Sequence, residues 1–467
     1  MTLLPFFVII RTMIYQTFKQ TAKRFPNKDA LICGDKTYTY SELASSVDNL
    51  IAVLSTAVMP GERVLFASDR WHNYVRMVLA CDALGVTFMP TYYDLPKAVI
   101  DDISKASKPD HIILNEDDAI NLRPHNKGLV CVKGKEYVYT VLFTSGTTGA
   151  PKAVAHSNKA CYDACIQNID IFNMNADDVI LAQLPPPTVA GLYLFPLPAL
   201  IIGATVVMEA FNPRRYAELN LTYKPTVGII VPAMIVAMNR VRSWHELDMS
   251  HWRELSVGST VIPEEMLNML FDKGVPVIRD LYGCTETHVP PFTYLIEPDT
   301  QQKLQLECTP NYQYKLDRYG VMWIKGSPVM MGYLNDDAKF DENGYWCTGD
   351  VFERRHNKLF YKSRQKDLIK VNSYNVSPVS IENAIMVFPD IEEVCVTFRS
   401  REMLGEVEIV ALVKSEKEIN ISELQLSIKD KLFPYEIPKE IIIVDEPLVR
   451  NRMGKIQREQ NREKFVT

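Results

Sequence analysis

The sequence predicts an α/β protein: a large N-terminal domain of βαβ-type sheets with helices on both faces, plus a small mobile C-terminal α+β domain. Three observations carry that expectation. Strand-like apolar runs alternate with segments of helical periodicity through the first half of the chain. Character changes near residue 360, where the polar, charged SRQKD precedes a set of short β-rich and helical pieces. A hydroxyl- and glycine-rich stretch, TSGTTGAPK, directly follows the apolar run VLF, and glycine lets a backbone approach a ligand closely.

The elements follow in order. MTLLPFFVII is apolar but far short of the roughly 20 residues of a bilayer span. It also lacks the basic start and small-residue cleavage site of a signal peptide. Residues 1–14 therefore read as an extended start with Met13 as an alternative initiator, no membrane span is expected, and the expected location is cytoplasmic. YQTFKQTAKRF has apolar residues at helical spacing, YTYSELASSVDNLIAVL is a helix with Ser41 as its expected cap, and GERVLFAS is a buried strand. NYVRMVLACDALGVTFMPT is a helix stopped by Gly85 and then a strand. LPALIIGATVVM repeats that pattern, and YKPTVGIIVP gives a strand before the helix AMIVAMNRV. The proline-rich LPPPTVAGLYLFPLP reads as an ordered turn leading into a buried helix. After the linker, EEVCVTFRS and VEIVALVKS are strands, and SIENAIMVF and SELQLSIKDKL are helices. The expected division is 1–362 for the large domain, 363–367 for a hinge linker and 368–467 for the small domain.

Composition narrows the function. With 467 residues, 47% hydrophobic and 23% charged, the chain is an ordinary globular protein. Its net charge of −6 disfavours nucleic acid, whose phosphates select basic faces. The nine cysteines are scattered without a CxxC pair, which fits free thiols in a reducing compartment. Cys161 and Cys165 lie one helical turn apart and read as core residues, because two thiols alone make a poor metal site.

In the TSGTTGAPK loop, Thr144, Ser145, Gly146, Thr147, Thr148 and Gly149 offer hydroxyls and successive backbone N–H groups, a nest suited to a polyphosphate. Lys152 adds a point charge. The stretch fails the GxxxxGK[ST] pattern, and so does Gly454-Lys455, since no glycine lies five residues before Gly454.

Five motifs in order, TSGTTGAPK, DLYGCTET, GYWCTGD, SRQKDLIKVNSYNVSPVSIE and VRNRMGKIQR, resemble those of the adenylate-forming superfamily: acyl-CoA synthetases, adenylation domains and firefly-type luciferases. With TYTYSEL and PGERV the resemblance runs from about Tyr15 nearly to the end. It implies ATP as co-substrate, with Glu286 holding Mg²⁺ and Thr285 contacting the α-phosphate; hard oxygen ligands suit that ion. It implies that Asp350 binds the ribose hydroxyls, with Arg364 adding a contact. Tyr282, beside Gly283, and the Gly258, Ser259, Thr260 segment fall where the family packs adenine. Lys455 would reach the carboxylate and α-phosphate while the acyl-adenylate forms, and Lys366 stands at the family's hinge position. Taken alone, Glu286 is a solvated loop acid, Tyr282 a core residue and Lys455 a solvated lysine in a basic tail.

Several positions depart from the family pattern: Ala153, Ser363, Ser373, Ser380 and Met453. None removes a charged group, although Ser373 narrows the approach for a pantetheine arm. At the substrate pocket Thr188 replaces a histidine or aromatic gate, and Pro187, Thr188, Val189 and Ala190 supply no aspartate for an α-amino group. An unpaired buried ammonium costs several kcal/mol, so the implied substrate is an aliphatic or aromatic carboxylic acid. The leading expectation is an acyl-CoA synthetase using ATP, Mg²⁺ and CoA. The alternatives are an enzyme loading the phosphopantetheine of an acyl carrier protein, and a non-catalytic nucleotide-binding relative.

Overall fold

The computed structural model describes residues 13–114, 136–144, 151–259, 262–298, 307–355, 358–371, 374–388, 390–401, 406–415, 417–429, 431–451 and 456–466. Among the described residues the largest sheet has nine strands, in the order Glu307–Cys308, Phe292–Ile296, Ile278–Tyr282, Glu254–Val257, Val227–Ile230, Val179–Ala182, Thr205–Met208, Asp29–Cys33 and Lys36–Thr39. From Ile278–Tyr282 across to Asp29–Cys33 every neighbouring pair is parallel, with antiparallel strands only at the two edges. Thr205–Met208, Val227–Ile230 and Glu254–Val257 are buried at every position, as strands covered on both faces must be.

A six-stranded sheet orders Gly332–Tyr333, Lys152–Ser157, Val138–Thr144, Thr87–Pro90, Arg63–Phe66 and His111–Ile113. The third sheet, antiparallel throughout, runs Tyr312–Leu316, Val321–Gly326, Trp346–Arg355 and Lys358–Arg364. The alternating pattern earlier in the chain did not foretell this third sheet. Its strand Tyr312–Leu316 starts at a buried tyrosine and then alternates exposed and half-buried positions, a weaker signal than a continuous apolar run.

Helix ends follow local chemistry. Trp71–Leu84 stops at Gly85, whose φ of +66° is the left-handed conformation that glycine adopts freely. The helix Tyr40–Leu54 corrects one expectation: its cap is Thr39, not Ser41. Thr39 and Glu42 form a reciprocal capping box, which requires the acid three residues after the cap; Glu42 is two residues too early to pair with Ser41.

Beyond a short 3₁₀ turn at Gln365–Asp367, a hairpin of Ile369–Val371 and Tyr374–Val376 leads into a sheet of Glu393–Arg401, Glu406–Lys414 and Glu440–Val444. Helices Pro378–Met386, Ile421–Lys429 and Arg458–Phe465 belong to the same region. Buried apolar clusters before residue 362 and after 368 share no members. Cys161 and Cys165 are buried in the largest cluster. No helix among the described residues is long and apolar enough to cross a membrane.

Candidate active site

Parallel strands deliver the site. Val227–Ile230, Glu254–Val257 and Ile278–Tyr282 run side by side in one direction, so the residues that follow them emerge at one edge of the sheet, where such sheets bind ligands. Val231, Gly258, Ser259 and the segment from Gly283 onward line a cleft of about 750 Å³. Thr144 and Lys152 reach it from the second sheet and Asp350 from the third; Arg364, Gln365, Lys366 and, from the C-terminal region, Asn451 line it as well.

Asp350 is buried within the strand Trp346–Arg355 and lies across from Arg364 in the ladder. Arg364 Nε sits 3.1 Å from its Oδ1, and the Tyr282 hydroxyl donates to its Oδ2 at 2.6 Å. Burial works against the charge on Arg364, but Asp350, together with Tyr361, Cys284 and Glu286, outweighs it and keeps the guanidinium protonated. Burial first, and then Asp350, push the Tyr282 hydroxyl well above the ordinary tyrosine range, so it remains a donor. The Tyr282 ring packs among Phe292, Phe352 and Tyr361 behind the cleft. Its visible work is to hold Asp350.

Thr144 and Lys152 are cross-strand partners, so the loop between them joins two adjacent strand ends at the cleft. Lys152 pairs with Asp336 and lies 4.8 Å from the centre of the Tyr333 ring. The Tyr333 hydroxyl donates to Glu286 Oε1 at 2.8 Å, and the Glu286 carbonyl accepts the Met330 N–H at 2.8 Å. A cation, a phenol and a carboxylate thus stand in one connected row. Thr285 and Glu286 line the cleft beside them.

The apolar end is built differently. Thr188 donates to the Pro185 carbonyl at 2.7 Å and accepts the Gly191 N–H at 3.0 Å, capping the five-residue π-helical turn Val189–Tyr193. Its hydroxyl is therefore committed to the backbone. Val189, Ala190, Leu184 and Leu194 form the wall. His288 lines the cleft with them; its ring and that of His156 stack at 3.8 Å, and Tyr193 lies 4.6 Å from it.

Of the residues expected at the site, Thr144, Lys152, Gly258, Ser259, Gly283, Thr285, Glu286, Asp350 and Arg364 share this one cleft. Ser145, Gly146, Thr147, Thr148, Gly149, Thr260, Ser373 and Lys455 lie outside the described residues. Sequence reasoning missed Tyr333, Asp336, His156 and His288. His288 had a signal available, as an ionisable residue directly after the CTET motif; the other three are brought in only by strand pairing and turns.

The sequence matches the profile of the AMP-binding enzyme family over residues 18–135 and 123–334, and that of the AMP-binding enzyme C-terminal domain over 380–455. It is 26% identical over 494 aligned positions to an indoleacetate–CoA ligase of Aromatoleum aromaticum, with 95% of each chain covered. It is 28% identical over 473 to a 2-succinylbenzoate–CoA ligase of Bacillus pumilus, covering 94% of this chain and 96% of that one. The fold superposes on an O-succinylbenzoate coenzyme A synthetase of Bacillus subtilis, solved with ATP and magnesium ion. That match has a TM-score of 0.82 and 22% identity, and covers 96% and 99% of the two chains.

Proposed function

This chain belongs to the AMP-binding enzyme family, and from that premise we propose that it is an AMP-forming acid–thiol ligase that makes an acyl-CoA through an acyl-adenylate. One observation carries the reading: a supported carboxylate, Asp350, and a cation–carboxylate row, Lys152 to Glu286, face the same cleft as an apolar wall. That layout suits a ribose, a polyphosphate and an organic acid bound side by side.

In the proposed reaction Asp350 accepts the ribose hydroxyls, fixed from behind by Arg364 and Tyr282. The loop residues Ser145 to Gly149, with Thr144 and Lys152, hold the β- and γ-phosphates. One oxygen of the acid attacks the α-phosphorus, the bond to pyrophosphate breaks, and the acyl-adenylate forms. Thr285 and Lys455 offset the charge that gathers on the phosphorus oxygens. Magnesium, when bound, neutralises phosphate oxygens. Glu286 beside Thr285 is suited to hold it, since this ion needs only one or two protein carboxylates and takes phosphates and water for the rest. The absence of a three-residue metal cluster among the described residues is compatible with that mode. In the second step the thiol of CoA attacks the acyl carbonyl, gives up its proton, and AMP leaves. The many CoA ligases among the relatives support CoA as the acceptor.

The test is pyrophosphate release by the purified protein with MgATP and a panel of acids, with and without CoA. Release that depends on an acid and rises with CoA is expected. Release that needs the acid but ignores CoA turns the reading toward a carrier protein, and no acid-dependent release overturns it. Lys455→Ala is expected to cut adenylation by roughly 10²–10³-fold while AMP binding persists. Near-normal release from that variant removes Lys455 from the mechanism.

A further inference from the structure

His288 has no task in the chemistry described above, yet it lines the cleft and is 1% exposed. Neither of its ring nitrogens has a hydrogen-bond partner. Two other rings pack against it, His156 stacked at 3.8 Å and Tyr193 tilted at 4.6 Å. Both rings are themselves anchored: His156 Nε2 donates to the Thr285 carbonyl at 2.8 Å, and the Tyr193 hydroxyl donates to Thr140 at 2.8 Å. A carbonyl can only accept, so Nε2 of His156 carries the proton. The His288 backbone is held at a φ of +57°, a conformation that residues other than glycine seldom adopt. A strained backbone, a clamped ring and two unmet ring nitrogens at a cleft wall mark a group kept ready for a ligand rather than for packing.

Resting on the acid–thiol ligase reading, we propose that His288 is a specificity residue: it reads an uncharged hydrogen-bonding group, a ring hydroxyl or ring N–H, on the body of a monocarboxylic acid. The neutral imidazole presents one donor and one acceptor at its edge, which a hydroxyl satisfies in both senses and a ring N–H in one. A second carboxylate is a poor match. Buried at the wall with no carboxylate bonded to either ring nitrogen, the ring offers no paired positive charge to a second carboxylate. Lys152 and Arg364 are already paired with Asp336 and Asp350. Substrates shaped like indoleacetate therefore fit this end better than dicarboxylates shaped like succinylbenzoate, although relatives of both kinds exist.

The experiment compares matched acids on the full-length protein: para-hydroxyphenylacetate against phenylacetate, indoleacetate against naphthylacetate, and one aryl dicarboxylate. Pyrophosphate release gives kcat and KM, and calorimetric titration onto the protein loaded with α,β-methylene-ATP, whose carbon bridge keeps pyrophosphate from leaving, gives affinity without turnover. Wild type is expected to favour the hydroxyl or N–H acid by about 10- to 100-fold, mainly in KM. His288→Phe keeps a ring for the stack but no nitrogen, and is expected to bring that ratio close to one. His288→Asn tolerates the left-handed backbone and should keep part of the preference. The same preference in wild type and His288→Phe overturns the proposal, as does a wild type that favours the bare or the dicarboxylate acid. If no acid supports release, the ligase reading fails, and the titration ratios still decide the role of His288.

Discussion

Asp82 is 1% exposed in the helix Trp71–Leu84, where its carboxylate accepts the Tyr15 N–H at 2.8 Å and so fastens the start of the helix Met13–Arg24. Burial pushes its pKa up from 3.8 to about 7, against the pull of the Tyr15 and Ile14 backbone bonds. Between those values the folded chain keeps a proton that the unfolded chain has lost, so stability falls as pH rises through that window. His156 acts with the opposite sign. Burial lowers its pKa from 6.5 to about 4, so the unfolded chain takes up the proton first and stability falls as pH drops through that range. The two slopes oppose each other in wild type and only a variant separates them. Asp82→Asn is expected to gain on wild type by on the order of a few kcal/mol at about pH 8 and to lose most of that gain by about pH 4. Urea unfolding at both pH values checks this, and a gain that grows toward acid pH contradicts it. Neither residue was legible beforehand. A lone acid in a helical pattern reads as solvent-facing until another helix is known to cover it, and His156 meets His288 only through sheet pairing.

The turn Val189–Tyr193 is the element on which we expect acid binding to depend, and Gly191 is its fixed point. A Cβ there would lie 1.9 Å from the Pro185 carbonyl oxygen, so any side chain must displace the backbone. The displaced turn would carry Val189 and Ala190 off the cleft wall and Tyr193 off His288. Gly191→Ala is expected to cost about 1–3 kcal/mol in stability and to raise KM for the acid at least about tenfold while KM for ATP changes little. Steady-state kinetics with each substrate varied in turn distinguish this from general damage, in which both constants move together. Elements of this kind divide what a sequence discloses from what it conceals. The strand and helix alternation was legible because buried parallel strands are apolar at every position, and Gly85 ends its helix as glycine does. The identity of the cap at Thr39 rather than Ser41 turned on two residues of spacing. The antiparallel third sheet, which places Asp350 against Arg364, mixes polar and apolar positions and left only the motif GYWCTGD as a trace.

At the scale of the molecule, the cleft is lined from both sides of residue 365: Asp350 and Glu286 before it, Lys366 and Asn451 after it. Between them the chain makes only the short 3₁₀ turn Gln365–Asp367, running from the strand end at Arg364 to the strand Ile369–Val371. Elsewhere the two parts touch through Arg240 and Glu392 at 3.0 Å, with the arginine 61% exposed, and through the Ser377 hydroxyl, which donates to the Lys362 carbonyl at 2.6 Å. A partly exposed ion pair and one hydrogen bond are worth about 1 kcal/mol each, so they steady this arrangement without locking it. Burial lowers the pKa of Lys366 in this arrangement, which disfavours its charge here and eases its departure toward water. We expect the small domain to turn about Lys366 after the adenylate forms, with a few linker dihedrals absorbing the motion. Lys366→Pro restricts those dihedrals without touching the groups that bind ATP. It is expected to slow thioester formation from preformed acyl-adenylate by about tenfold or more while pyrophosphate release in the first turnover stays within about threefold. Rapid-quench measurement of the two steps separates them. Equal slowing of both would place the motion elsewhere, because a proline that merely distorted the cleft would harm adenylation, the step for which we propose that Arg364 and Asp350 must stay in register.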